Sequence, residues 1–362
     1  MQSKHRIFAE DLLLAAEGED HFDQVPDSLV LLIFNKLADA RSLGRCSVVS
    51  RRFNALVPLV DDACLRIDRV IPADADDALG LAGPRPRGVL SHLLKAMLLA
   101  VLKPFSHCDA GGKSAGAGHG KHAQQQHHSP AQVLKNFSSI RNLRMELPVS
   151  DVGTDDGVLL KWKAVFGSTL QSCVILGGTK VDRAGAATAA AADDHESEDD
   201  SGSIPESFYT NGGLKLRVVW TISSLIAAGT RHYLLREIVK EHPTLERVAL
   251  TDAHGQGTLA MDRDQLKEFT DKPFAAAAAA NRTQVPACNM KLRYAPLLEL
   301  SDGTRIHGAT LVVIKPVGEV GGIGGGRKEL DEFVAGAFDG PFREAVGALS
   351  KRRAYLLEMN GF

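Results

Sequence analysis

Five histidines, at positions 107, 119, 122, 127 and 128, are the densest set of potential metal ligands in the chain. A structural or catalytic metal would need cysteine or carboxylate partners at ligand spacing, and the tract supplies none. "HCDAGGKSAGAGHGKHAQQQHHSPAQ" (107 to 132) reads instead as a solvated Gly/His/Gln linker. The glycine run Gly321 to Gly326 lies between a strand-like "GATLVVIKP" and a helix-like "KELDEFVAGAF", a setting that suits a phosphate loop. That loop needs a lysine followed by a hydroxyl to hold magnesium, but Arg327 and Lys328 follow here. A dinucleotide site would need a whole βαβ unit beyond the run, and only "AYLLEMNGF" remains near the end.

Nucleophiles fare no better. The chain holds no G-x-S-x-G elbow, and "SHC" (106 to 108) is a local accident of the linker rather than a Cys-His dyad. Cysteines 46, 64, 108, 173 and 288 are scattered and odd in number, without a C-x-x-C, which fits free thiols in a reducing compartment. Paired carboxylates at 155–156, 193–194 and 199–200 fall in polar loops, where solvated charge is the default. No catalytic residue, metal site or cofactor is expected, and the chain reads as a binding protein.

The elements that would carry binding come next. With 362 residues there is room for one large domain or two unequal ones. A formal net charge of -2 argues against a nucleic-acid or anionic-membrane partner. The first twenty residues lack a signal-peptide pattern, and "AMLLAVL" falls far short of a membrane span. A soluble protein of the cytoplasm, the nucleus or both is expected.

Low-complexity segments divide the chain. Beside the linker, "RAGAATAAAADDHESEDDSGSIP" (183 to 205) turns from alanine-rich to acidic, "FAAAAAANR" (274 to 282) is polyalanine, and "GEVGGIGGGRK" (318 to 328) is glycine-rich. Such compositions bury too little apolar surface to offset the entropy of ordering, so loops or disorder are expected.

Between these segments helical and strand patterns alternate. "RGVLSHLLKAMLLAVLKPF" and "SPAQVLKNF" read as helices, the second with Ser129 as its N-cap. "SIRNLRMELP" follows as a strand, then "LLKWKAVFG" as a helix and "TLQSCVILG" as a strand. "LKLRVVWTI" reads as another strand, "SLIAAGTRHYLLREIVKEHP" as a helix and "TLERVALTD" as a strand. Three of the strands share apolar residues at p, p+3 and p+5: Ile140, Leu143, Met145; Leu170, Cys173, Ile175; Leu245, Val248, Leu250. With a weaker start at Leu216, this is a degenerate leucine-rich-repeat grammar, in which strand-helix units stack because none can bury its apolar face alone. An ordinary α/β arrangement on one parallel sheet is the alternative; either way the class is α/β.

"VPDSLVLLIFNKLAD" (25 to 39) poses a separate problem. Pro26 suits the first helical turn, Asp27 complements the dipole, and Asn35-Lys36 restore a polar face. On a helical wheel, however, its apolar arc is roughly twice the width that a surface helix needs. Short helices follow, around Ser42 to Cys46 and through Val49, Phe53, Leu56 and Val57. So small a module has too little interior to bury that arc, and the excess needs another surface.

Residues 22 to 58, "FDQVPDSLVLLIFNKLADARSLGRCSVVSRRFNALVP", resemble an F-box. The pattern L-P-x-x-L-x-x-x-I-x-x-x-L, then a leucine, then V-[CS]-[KR]-x-[WF]-x-x-L matches Pro26, Leu29, Ile33, Leu37, Leu43, Val49, Ser50, Arg51, Phe53 and Leu56. Val25, Ala38, Ser50 and Phe53 depart from the commonest residues but keep volume or polarity. Beyond it, "FGSTLQSCVILG", "LTDAHGQGTLAMDRDQLKEF" and "VPACNMKLRYAPLLELSDGTRIHGATLVVIKP", with the terminal "FREAV" region, resemble the auxin-up-regulated group of plant F-box proteins.

The resemblance implies a non-catalytic substrate receptor of an SCF-type cullin-RING ubiquitin ligase. The F-box would dock on a Skp-family adaptor, and through it on cullin and RING subunits. Pro26, Leu29, Ile33, Leu37, Leu43, Val49, Ser50 and Phe53 would form the adaptor-facing and shared-core surface, two roles that the sequence does not separate. The alternatives are an F-box interaction protein that assembles no ligase, or a plain repeat scaffold. The expected organisation is an N-terminal extension (1–21), an F-box of three short helices (22–66) and a helical connector (67–106). A linker (107–129) and a leucine-rich-repeat-like substrate domain (130–362), with disordered insertions at 183–205 and 318–328, complete it. Loops after strands are the places to look for substrate contacts. "LTDAHGQGT" (250 to 258) offers Asp252, His254 and Gln256 among glycines that permit close approach.

Overall fold

The computed structural model describes residues 22–67, 130–148, 157–183, 204–271, 285–317 and 325–361. The N-terminal extension, the helix expected within 87–105, the histidine linker, Ser129, the acidic and polyalanine stretches and most of the glycine run lie outside them.

Three short helices open the described chain: α1 (Asp27–Leu37), α2 (Ala40–Ser47) and α3 (Arg51–Leu56). Each boundary has a local cause. Asp27 sits in the first turn of α1, and Ala38 ends that helix in a left-handed conformation (φ 50°) with its N–H donating to the Phe34 carbonyl. Asp39 caps α2 by accepting from the Ser42 N–H (2.9 Å) and hydroxyl (2.6 Å). Ser50 caps α3 by accepting from the Phe53 N–H at 3.1 Å. The Phe53 ring stands edge-on to Phe22 and to Phe34, and Arg52 ties the module's entry by pairing with Asp27 at 2.6 Å.

The rest is built on one ten-stranded sheet, β1 (Asp62–Arg66), β2 (Asn142–Leu147), β3 (Leu159–Phe166), β4 (Leu170–Gly178), β5 (Lys180–Asp182), β6 (Arg247–Asp252), β7 (Gly257–Met261), β8 (Cys288–Glu299), β9 (Arg305–Pro316) and β10 (Tyr355–Met359). Its order is β1-β2-β6-β7-β3-β4-β9-β8-β10, with β5 also paired to β9. The helices are α4 (Pro130–Leu134), α5 (Gly213–Glu241), α6 (Arg263–Asp271), α7 (Gly325–Ala335) and α8 (Pro341–Ser350). One core lies between the sheet, the long α5 and the N-terminal helices, and joins Phe34 and Leu43 to Trp162, Leu235 and Leu250. A second lies on the opposite face, where α7 and α8 cover Val174, Leu176, Leu311 and Val313.

The leucine-rich-repeat architecture is not what forms. Stacked strand-helix units would give sequential parallel strands, each with its own helix. Here β1–β2, β2–β6 and β3–β7 are parallel, while β3–β4, β4–β9, β6–β7, β8–β9 and β8–β10 are antiparallel. The parallel-sheet alternative fails for the same reason; the sheet is mixed. The p+3, p+5 pattern does mark true neighbours in β2 and β6, where Leu143 faces Val248 and Met145 faces Leu250. Cys173 and Ile175 lie in β4, several strands away.

Two elements exchange identity. "LLKWKAVFG", expected as a helix, is β3: Leu160, Trp162, Ala164 and Phe166 alternate inward while Lys161, Lys163 and Val165 face the other way. "LKLRVVWTI", expected as a strand from its β-branched residues, opens the 29-residue α5. Its buried positions recur at helical spacing, through Arg217, Trp220, Ser224, Ala228, Arg231, Leu235 and Val239. Propensity over nine residues lost to a helix that packs across β7, β3 and β4.

Candidate functional site

The wide apolar arc of α1 divides cleanly. Val30 and Phe34 are buried against the core, whereas Leu29 (49 % exposed), Ile33 (49 %) and Leu37 (42 %) point outward. Leu32, which the sequence pattern did not single out, belongs to the same outward stripe at 54 %. Val48 and Val49, after α2, are also exposed, at 84 % and 71 %. Such a run of large exposed aliphatic side chains along one short helix marks an interaction face. Leu32 and Val48 were legible as apolar residues; what the sequence lacked was the direction of each side chain.

The other residues proposed for this face hold it together. Leu43 is fully buried in the core. Ser50 spends its hydroxyl on the α3 cap, and Phe53 is half-buried between Phe22 and Phe34. Pro26 is exposed and precedes α1, its carbonyl accepting from the Leu29 and Val30 N–H groups.

The module is welded to the sheet. The Asn35 side-chain oxygen on α1 accepts from the N–H of Asp61 (2.8 Å), just before β1, and of Asp62 (3.2 Å), its first residue. The Cys64 N–H in mid-strand donates to the Ala38 carbonyl at 2.7 Å, while β1 runs parallel to β2 along its other edge. The outward stripe therefore has a fixed position relative to the whole sheet.

The loop after β6 is arranged differently from the expectation. Asp252 and Gln256 are buried; of the three residues named there only His254 is exposed. The Asp252 carboxylate accepts from the N–H groups of His254, Gln256 and Gly257, and pairs with the buried Arg231 at 3.2 Å. Its negative charge and short reach make it the internal staple of its own turn, so a substrate cannot touch it in the folded chain. Arg231 also donates to the Leu250 and Gly257 carbonyls and lies over the Trp162 ring at 4.6 Å. A side chain at Gly257 would fall 2.2 Å from that ring, so the glycine there serves close packing.

No group of three or more metal-ligating side chains gathers among the described residues, and no described helix is long and apolar enough to cross a membrane. Among the buried titratable groups, desolvation pushes the His232 imidazole down to about 4, held between Phe166 and Phe269 with Nε2 donating to the Gly167 carbonyl. That ring is a packed core group.

Residues 22–65 match the F-box-like family model. The chain is 49 % identical to F-box protein At5g46170 of Arabidopsis thaliana, covering 95 % of this chain and 94 % of the relative. It is 36 % identical to F-box protein AUF1 and 35 % identical to F-box protein AUF2 of the same plant, with 95 % of this chain and 100 % of each relative covered. No solved structure matches. With an outward apolar stripe on the first of three short helices, and relatives aligned over nearly its whole length, the chain belongs to the family of F-box proteins.

Proposed function

We propose that this protein is the substrate-recognition subunit of an SCF-type cullin-RING E3 ubiquitin ligase, working in the cytoplasm, the nucleus or both. The observation that carries the reading is the stripe of Leu29, Leu32, Ile33 and Leu37 with Val48 and Val49, exposed on a module that matches the F-box-like family. Docked on a Skp-family adaptor, each aliphatic side chain would contribute roughly 1.5 to 3 kcal/mol before the costs of association. The chain itself performs no bond chemistry in this role. A receptor that holds a protein substrate beside the charged conjugating enzyme raises effective concentration, which suffices.

Rigid attachment of the module suits this work, because the distance from adaptor to substrate is then set by a sheet rather than by a linker. Among Asp252, His254 and Gln256, the exposure of His254 supports a part for that residue in substrate contact. The test is affinity purification of the tagged chain from plant cells. Recovery of both a Skp-family adaptor and a cullin is expected; adaptor without cullin would instead favour an interaction protein outside any ligase.

A further inference from the structure

On the face of the sheet opposite α5, helices α7 and α8 cover β3, β4, β9 and β8, and among the described residues no helix covers β1, β2, β6 and β7. The result is a trough of about 1310 Å³. Asn35 and Ala38 of the F-box module stand at one end, and Leu330 and Phe333 of α7 at the other. The pairing registers lay out its floor in rows. One row runs Cys64, Arg144, Ala249, Ala260, Val165 from β1 to β3. The next register row runs Arg66, Glu146, Thr251, Thr258, Lys163, of which Arg66, Glu146 and Lys163 line the trough. Small side chains in the middle of the first row let a backbone come close, and charged ones flank them.

The sign of that charge opposes the chain's net of -2. Arg66, Arg144, Lys163, Arg247 and Lys315 line the trough against three carboxylates, Asp62, Glu146 and Asp262. Arg66 and Arg144 share the single Glu146 carboxylate, at 3.0 and 3.4 Å, and stay 64 % and 63 % exposed. One carboxylate leaves most of two guanidinium forks unmatched. Asp62 is engaged with Asn142, whose oxygen accepts from Arg247.

We infer that this trough is the substrate-docking surface and that it takes an extended acidic segment of a protein. The inference rests on the receptor reading above and names the chemistry of its substrate. Four strand spacings from β1 to β3 cover about 19 Å, the length of roughly six extended residues. Discrete carboxylates can alternate with the wall's own acids, whereas a continuous phosphate backbone would meet Glu146, Asp62 and Asp262 in turn.

Fluorescence polarisation of the full chain bound to its adaptor tests this, with a labelled Glu-Ala-Glu-Ala-Glu-Ala peptide and its Lys counterpart as probes. Saturable binding of the glutamate peptide alone is expected, weakened by added salt. The exposed-residue variant R66E/R144E/R247E should lose about tenfold or more in affinity while capturing adaptor as the parent does. Should that variant fail to fold, K315E at the rim carries the same expectation in direction. No saturable glutamate-peptide binding, equal binding of the lysine peptide, or tighter binding of a single-stranded oligonucleotide would overturn the inference. So would unchanged affinity in a folded variant. Loss of cullin recovery with peptide binding intact would sink the ligase reading and leave the trough standing.

Discussion

The guanidinium of Arg231 on α5 and the carboxylate of Asp252 at the end of β6 meet at 3.2 Å with 1 % and 0 % of their side chains exposed. The pair fastens the 29-residue α5 to the turn between β6 and β7. Removing one member strands the other charge in the core, which costs about 3 to 5 kcal/mol. Asp252→Ala should therefore lower the denaturant midpoint sharply and destroy the turn. His254→Ala, at an exposed position, should change stability by less than about 0.5 kcal/mol. Urea titration of both variants distinguishes them, and equal stability would mean that the pair is not the staple described.

A second expectation concerns the stripe on α1. Leu29 and Ile33 are half exposed and support little of the core, so Leu29→Ala with Ile33→Ala should leave the thermal transition nearly in place. Adaptor affinity should fall by about 3 kcal/mol or more, at least two orders of magnitude. Leu32→Ala should add to that loss. Pull-down with recombinant adaptor reads the result; undiminished capture by the double variant would move the interface elsewhere.

How far the sequence carried each conclusion depended on how local its cause was. The caps at Asp39 and Ser50 are closed by residues three positions on, and the helices they open were legible for that reason, whereas which apolar residues of α1 face outward was not. The sheet order was not. Nothing in "LLKWKAVFG" announces that β7, nearly a hundred residues later, lies beside it. Leu143 and Val248 share a pattern and do touch, while Cys173 shares it and does not. Asp252 misled because a carboxylate among glycines looks like a ligand-binding loop whether its hydrogen bonds point outward or into its own turn. Only the partner on α5, which lies earlier in the chain, tells the two apart.

The His232 ring gives a pH dependence. Burial lowers its folded pKa from the ordinary 6.5 to about 4, so the unfolded chain takes up this proton first. The stability contributed by the neutral ring is whole above pH 6.5 and drains away as pH falls towards 4, by up to about 3 kcal/mol. Chemical denaturation at pH 7 and pH 4.5 should show that loss, with a smaller one in His232→Gln. An identical pH slope in the two proteins would place the titrating group elsewhere.

The last expectation follows from Asn35. Its side-chain oxygen serves two N–H groups at the start of β1, and so connects the helix that carries the outward stripe to the strand that edges the sheet. Asn35→Ala leaves both donors without that acceptor, at about 1 to 3 kcal/mol for part-buried groups. If the F-box module were an independent domain, the loss would fall on the module alone, and amides of β2 and β6 would keep their protection. The Cys64–Ala38 hydrogen bond and the shared core predict otherwise. Hydrogen exchange should quicken in α1, β1 and the adjoining β2 together, with β8 and β9 far less affected. Exchange that rises only within residues 27 to 59 would mean that module and sheet open separately. The fixed geometry between adaptor and substrate would then have to come from somewhere other than β1.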